Sequence, residues 1–250
     1  MKKSIIDRVI KMKDLSEKDF FKFERKKLDF PFYNDNPNLS IPRWILLAIS
    51  VIIPFILIFT PHSIGGRFEN LLYFILPFLF FGIVANWKYD LICKKFQKND
   101  FKLIPILIIL EFIFSIAVGF IMMHIFNMHI QSNPALTELN SLFFWVLFPF
   151  QIFGEELLKI IPFLIFLTIF YKVTENRKIS IVISTIIVLI IFGLIHLPAY
   201  DNLISVLLIQ GLGSIFTMFA YLKTKNIFVS FLTHLIYDTI TFLPVLLILL

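Results

Sequence analysis

"SLFFWVLFPFQIFGEELLKIIPFLIFLTIFY", residues 141–171, is the stretch whose reading decides the fold. It is apolar enough for lipid, but it exceeds the about 17–25 residues that one crossing needs. It also holds Pro149, Gly154 and Pro162, each a place where a helix can bend or stop. Taken alone it is either one long broken helix or a re-entrant piece followed by a helix. The remaining apolar runs, at 43–61, 71–88, 103–127, 179–197, 203–222 and 227–249, are each long enough to cross once.

Lysine and arginine choose between the two readings. Ten precede the first run, with Arg43 at its edge, and the next connection holds only Arg67. Lys88, Lys94, Lys95, Lys98 and Lys102 follow the second run, and "MHIQSNPALTELN" after the third has none. Lys172, Arg177 and Lys178 follow the fourth, "LPAYDN" after the fifth has none, and Lys223 and Lys225 follow the sixth. Cytoplasmic loops are the ones enriched in Lys and Arg. The alternation therefore fits seven crossings, and counting 141–171 as two would put the later basic loops outside. The expected fold is all-α: a polytopic membrane helical bundle of about seven transmembrane helices, N-terminus cytoplasmic, with the fourth span long and broken.

Composition agrees. The chain has 250 residues, 58% hydrophobic, with 32 Phe and a mean hydropathy of +0.88, against about 45–50% apolar residues in soluble domains. Positive-inside topology absorbs the net charge of +6, so no nucleic-acid partner is expected. The lone cysteine, Cys93, excludes an intrachain disulfide and reads as a buried or membrane-edge thiol. Heavy use of Ile, Phe, Lys and Asn points to an AT-rich, bacterial genome. The N-terminus has no apolar h-region and is not a secretory signal. Residues 1–42 read as a basic cytoplasmic arm, either on anionic lipid or simply solvated. Ile5, Ile6, Val9 and Ile10 would share one helical face there, and Ser16 with Asp19 reads as a capping box.

Within the oily C-terminal half stand Glu155, Glu156, Lys159, His196, His234 and Asp238. An ionisable residue inside a span is costly and by default functional. Adjacent helical residues point about 100° apart, so Glu155 and Glu156 cannot face each other as a dyad. Lys159 is within reach of either glutamate, at i+4 or i+3, which would leave the other facing a polar cavity. His234 and Asp238 share a face at i,i+4. Glutamate with histidine can take a proton from water, and histidine with a carboxyl can stabilise an oxyanion. The same side chains can ligate zinc, although the H-E-x-x-H spacing is absent, or relay protons.

The order "EELLK", "FGLIH" and "TKNIFVSFLTHLIYD" resembles the type II CAAX prenyl protease and bacteriocin-processing (CPBP) family, also called Abi-like, over about residues 141–250. Its motifs are E-E-x-x-x-R, F-x-x-x-H and H-x-x-x-N or D. The resemblance implies an intramembrane endopeptidase in which Glu155, aided by His196, activates water. Glu156 would support the site, and His234 and Asp238 would surround the oxyanion, with no metal or other cofactor (zinc being the less favoured version). Ile160 stands where the family has arginine, with Lys159 one position early, as in the related PrsW-type branch. Lysine cannot supply the bidentate fork of arginine, and an ionised Asp238 cannot donate a hydrogen bond.

These readings divide the chain into a basic arm (1–42), three N-terminal transmembrane helices (43–127) and a protease core (141–250). The expected protein lies in the cell membrane as a multi-pass chain and acts on a peptide precursor or membrane-associated protein, in bacterial peptide maturation or bacteriocin immunity. The alternatives are a non-catalytic immunity or scaffold protein and a proton-coupled transporter using Glu111. Oligomeric state stays open. So does the face to which the cavity opens: counted along their spans at 1.5 Å per residue, His234 lies roughly 12 Å and His196 roughly 27 Å from the inner ends.

Overall fold

Along Ile41–Phe59 (α1), Ile45, Ile49, Ile52 and Ile56 recur every three or four residues, and all are exposed. The same outward stripe runs down Asp100–His124 (α3) as Ile106, Ile109, Ile113, Ile116 and Phe120, and down Arg177–Leu194 (α5) as Ile179, Val182, Ile186 and Ile190. Apolar faces of that length are untenable in water and are what acyl chains cover. The computed structural model, which describes residues 15–25, 28–60 and 66–249, is a bundle of these helices with Gly66–Val84 (α2), Leu142–Thr174 (α4), Leu203–Thr224 (α6) and Ile227–Leu249 (α7). Among the described residues there is no strand. Among the described residues six helices are long and apolar enough to cross a membrane, and Leu71–Val84 within α2 is a shorter apolar one. The chain is a multi-pass membrane protein.

The expected break in the fourth span is absent. α4 is one continuous helix of 33 residues, about 50 Å long. Pro149 and Pro162 lie inside it, each removing one backbone hydrogen bond. Lateral packing holds it together, because every residue from Glu156 to Leu164 is buried. On one side α2 lies close enough that a Cβ added at Gly154 would sit 2.9 Å from the Phe74 backbone nitrogen. On another, α5 and α6 meet at Gly193 and Gly211, where a Cβ on Gly193 would come 2.8 Å from the Val206 carbonyl oxygen. α6 itself widens into a π-helical stretch at Val206–Leu212, a form often found at functional sites.

Part of the N-terminal segment packs into the bundle instead of being solvated, while Ser16, Glu17, Lys18 and Lys22 stay exposed. Phe30, Phe32 and Tyr33 are at most 3% exposed and belong to the main core with residues of α1, α2, α4, α5 and α6. The length of α4 beyond one crossing receives this segment, Tyr33 packing edge-on against Tyr171 at 4.8 Å. Arg177 donates to Glu24 at 2.7 and 2.8 Å and to Asp29 at 2.9 Å, and Lys225 pairs with Glu24. Ser16 and Asp19 do form a capping box; the face of Ile5, Ile6, Val9 and Ile10 lies outside the described residues.

Burial pushes the Glu24 carboxyl up, but the Arg177 guanidinium and the Lys225 ammonium outweigh it and hold the group below its usual range. Burial brings the Lys225 ammonium down to about 8, against the pull of Glu24. A carboxyl held low contributes stability above its ordinary range that is lost as pH falls through its lowered value. Glu24→Gln leaves two buried cations short of a partner, a change worth about 3–5 kcal/mol. The expected result is release of the segment, read as rapid proteolysis within residues 15–40 while the transmembrane fragments stay intact. The wild-type segment should be released in the same way on acidification.

Candidate active site

The site is built where α4, α5 and α7 approach each other. One turn of α4 carries Glu155, Glu156 and Lys159. Glu156 turns inward, 1% exposed, and its Oε1 lies 2.6 Å from Lys159 Nζ. Lys159, wholly buried, donates to Thr217 Oγ1 at 2.8 Å and stands 4.5 Å over the Phe192 ring. A buried ammonium needs all of these to offset its desolvation. Ile160, where the family motif has arginine, points about 100° away and is part of the main core. The lysine therefore sits one position early but on the Glu156 side of the helix.

Glu156 also fixes the histidine of α7. His234 Nδ1 is 2.8 Å from Glu156 Oε1, and Ser230, one turn before His234, sets its hydroxyl against the same carboxylate. A carboxylate paired with an ammonium only accepts, so Nδ1 carries a proton and Nε2 is the ring nitrogen turned towards the other site groups. That Nε2 faces Asp238 Oδ2 at 3.5 Å and Glu155 Oε2 at 3.8 Å. Glu155 is the less enclosed glutamate, its side chain 16% exposed, and Gln151 donates to it at 3.2 Å from one turn earlier.

His196 comes from the end of α5. Its Nδ1 is 2.7 Å from the Phe192 carbonyl oxygen, and its ring packs edge-on against the Phe192 ring at 4.8 Å. The F-x-x-x-H spacing is the i,i+4 relation that makes both contacts. The Phe192 ring also meets the His234 ring at 6.5 Å, so one phenyl group separates the two histidines and roofs the lysine.

Glu155, His196, His234 and Asp238 all line one cavity of about 690 Å³. The two histidines, counted at different depths along their spans, nevertheless line the same cavity, His196 standing just past the end of α5. Glu111 of α3 lines it too, 5% exposed, with Oε2 lacking a hydrogen-bond partner among the described residues. Ser115, one turn further along α3, is 2.8 Å from the Tyr237 hydroxyl and ties α3 to α7. Ser230, Thr217 and Gln151 were not singled out from sequence. Ser230 and Gln151 do stand at i−4 from His234 and Glu155, a spacing that could have flagged them. Thr217 has no such signal. Among the described residues no group of three or more His, Cys, Asp or Glu has the arrangement of a metal site.

No curated protein and no solved structure matches the chain. Residues 137–240 match the family of the type II CAAX prenyl endopeptidases described as Rce1-like. The matched segment holds Glu155, Glu156, Lys159, His196, His234 and Asp238, and leaves out Glu111. Over that segment the chain is similar to the Rce1-like type II CAAX prenyl endopeptidases.

Proposed function

We propose that this chain is an intramembrane endopeptidase of the cell membrane that hydrolyses a peptide bond with a water activated by Glu155. The observation that carries the reading is the convergence of Glu155, His196, His234 and Asp238 on one cavity. In the proposed cycle Glu155 takes a proton from water as the oxygen attacks the scissile carbonyl carbon, with His196 helping to orient that water. The carbonyl oxygen becomes an oxyanion, which His234 Nε2–H stabilises by donating to it. Collapse breaks the C–N bond, and Glu155 returns its proton to the leaving amine, so the enzyme ends as it began. Lys159 acts at one remove: it keeps Glu156 an acceptor, and Glu156 holds His234 with Nε2 towards Glu155. Asp238, 3.5 Å from Nε2, orients the doubly protonated ring rather than donating to the oxyanion itself. Bacterial peptide precursors, in peptide maturation or bacteriocin immunity, are the substrates this reading favours.

The mechanism needs no metal, and that is directly testable. Processing by the purified protein should survive chelation. Zinc held in unit stoichiometry, with activity lost on its removal and regained on its return, would overturn the glutamate mechanism. Lysine in place of the family's arginine favours the second reading, a non-catalytic immunity or scaffold protein. On that reading alanine at Glu155, His196 and His234 leaves the phenotype intact.

A further inference from the structure

We infer that the cavity receives its substrate from the extracytoplasmic face, so that the polypeptide cut is a segment presented on the outer side of the membrane. Calling the occupant a substrate rests on the protease reading; the direction of opening does not. Three observations support it. The first is charge. The connections α2–α3, α4–α5 and α6–α7 carry the loop lysines and arginines, and Arg67 is the single exception on the other side. The basic side is the cytoplasmic one.

The second is the cavity wall. Its rim is formed by the opposite connections: Gln131 and Pro134 between α3 and α4, and Pro198 and Ala199 between α5 and α6, all exposed. Every helix that contributes does so from its middle or its non-basic half. α7, which starts on the basic side, lines the cavity only from His234 to Phe242. No residue of the three basic connections lines it.

The third is closure of the basic side. Below Glu156 and Lys159, α4 continues through Ile160, Ile161, Phe163, Leu164 and Leu167, none more than 1% exposed. The N-terminal segment then seals this layer. Phe30 packs against Phe163 at 5.1 Å and against Tyr221 at 5.8 Å, and the buried Glu24, Arg177 and Lys225 cluster lies beside it. A cytoplasmic chain would have to displace this packed segment and a buried ion cluster to reach Glu155. A chain at the outer face meets exposed loops and a lined cavity. The substrate class is therefore a translocated peptide, or the outer juxtamembrane segment of a membrane protein, and not a cytoplasmic C-terminus.

The test reads accessibility without turnover. Cys93→Ser removes the chain's one native thiol. In that background Ala199→Cys and Gln131→Cys report the rim, Thr241→Cys the wall, and Lys98→Cys the basic side. A membrane-impermeant maleimide should label the rim and wall positions in sealed spheroplasts and not in sealed inverted vesicles, with Lys98→Cys showing the reverse. Three positions guard against one variant failing to fold. Labelling of rim and wall in inverted vesicles, or equally in both preparations, would overturn the inference. A failed protease reading would show separately, as processing that survives Glu155→Gln while the labelling pattern stands.

Discussion

Glu155→Gln is expected to stop processing while leaving the protein at wild-type abundance in the membrane. The substitution keeps the shape of the side chain and its contact with Gln151, but an amide cannot accept the proton of the attacking water. Loss of a positioned general base lowers rates by about 10²–10⁴-fold, and here the same group also serves the leaving amine, so the upper end applies. The fold should hold because Glu155 is the partly exposed glutamate, and His234 Nε2 lies 3.8 Å from it, beyond hydrogen-bond distance. The measurement is product formed from a tagged substrate, set against an immunoblot of the membrane fraction. Full processing by the variant would sink the assignment of Glu155.

Lys159→Met should fail in the opposite way, by losing the protein. Lys159 and Glu156 are each about 1% exposed and 2.6 Å apart. Removing one partner strands the other charge in a low-dielectric interior, at about 3–5 kcal/mol. Methionine fills the volume, so the loss is electrostatic rather than a cavity effect, and the expected readout is a lower melting temperature and reduced abundance. The double variant Glu156→Gln with Lys159→Met removes both charges and should recover much of that stability, since neighbouring sites couple strongly. Processing should not recover with it. A glutamine holds His234 Nδ1–H less firmly than a carboxylate, because charge-assisted hydrogen bonds are roughly twice as strong. If the double variant is as unstable as the single one, the pair is not the stabilising unit described here.

The two variants separate adjacent residues that the sequence makes look alike. Glu155 and Glu156 follow each other in oil, and their helical offset requires only that they face different ways. That Lys159 would take one of them was legible from spacing; that it takes Glu156 depends on Thr217 and Phe192, which arrive from α6 and α5. The three motifs were legible because each is a local i to i+4 pattern. Ser230 and Gln151 were legible in principle by the same rule. Thr217 was not, since it stands at no helical interval from a site residue, and Glu111, visible as an acid deep in a span, is brought to the cavity only by helix packing.

The basic N-terminal segment marks the other boundary of what a local reading can reach. Its charges were read as solvated or lipid-bound, because a stretch with Glu24, Arg25 and Asp29 does not look like core. Three aromatics, Phe30, Phe32 and Tyr33, nevertheless pack into the core, and Arg177 of α5 and Lys225 just after α6 pair with the buried Glu24. The same limit applies to α4, where two prolines suggested a break that packing against α2 and α5 overrides.

From the sequence alone came the apolar runs, the charge asymmetry of the connections between them, and the acids and histidines available. Hydropathy and loop charge are properties of composition along the chain, and the bilayer reads them segment by segment. Only the tertiary structure decided which glutamate faces the cavity, that Glu111 joins it, and that the basic side is closed while the other is lined. Each of these depends on the rotation and depth of one helix against another, and those are set by side-chain packing between residues far apart in the chain.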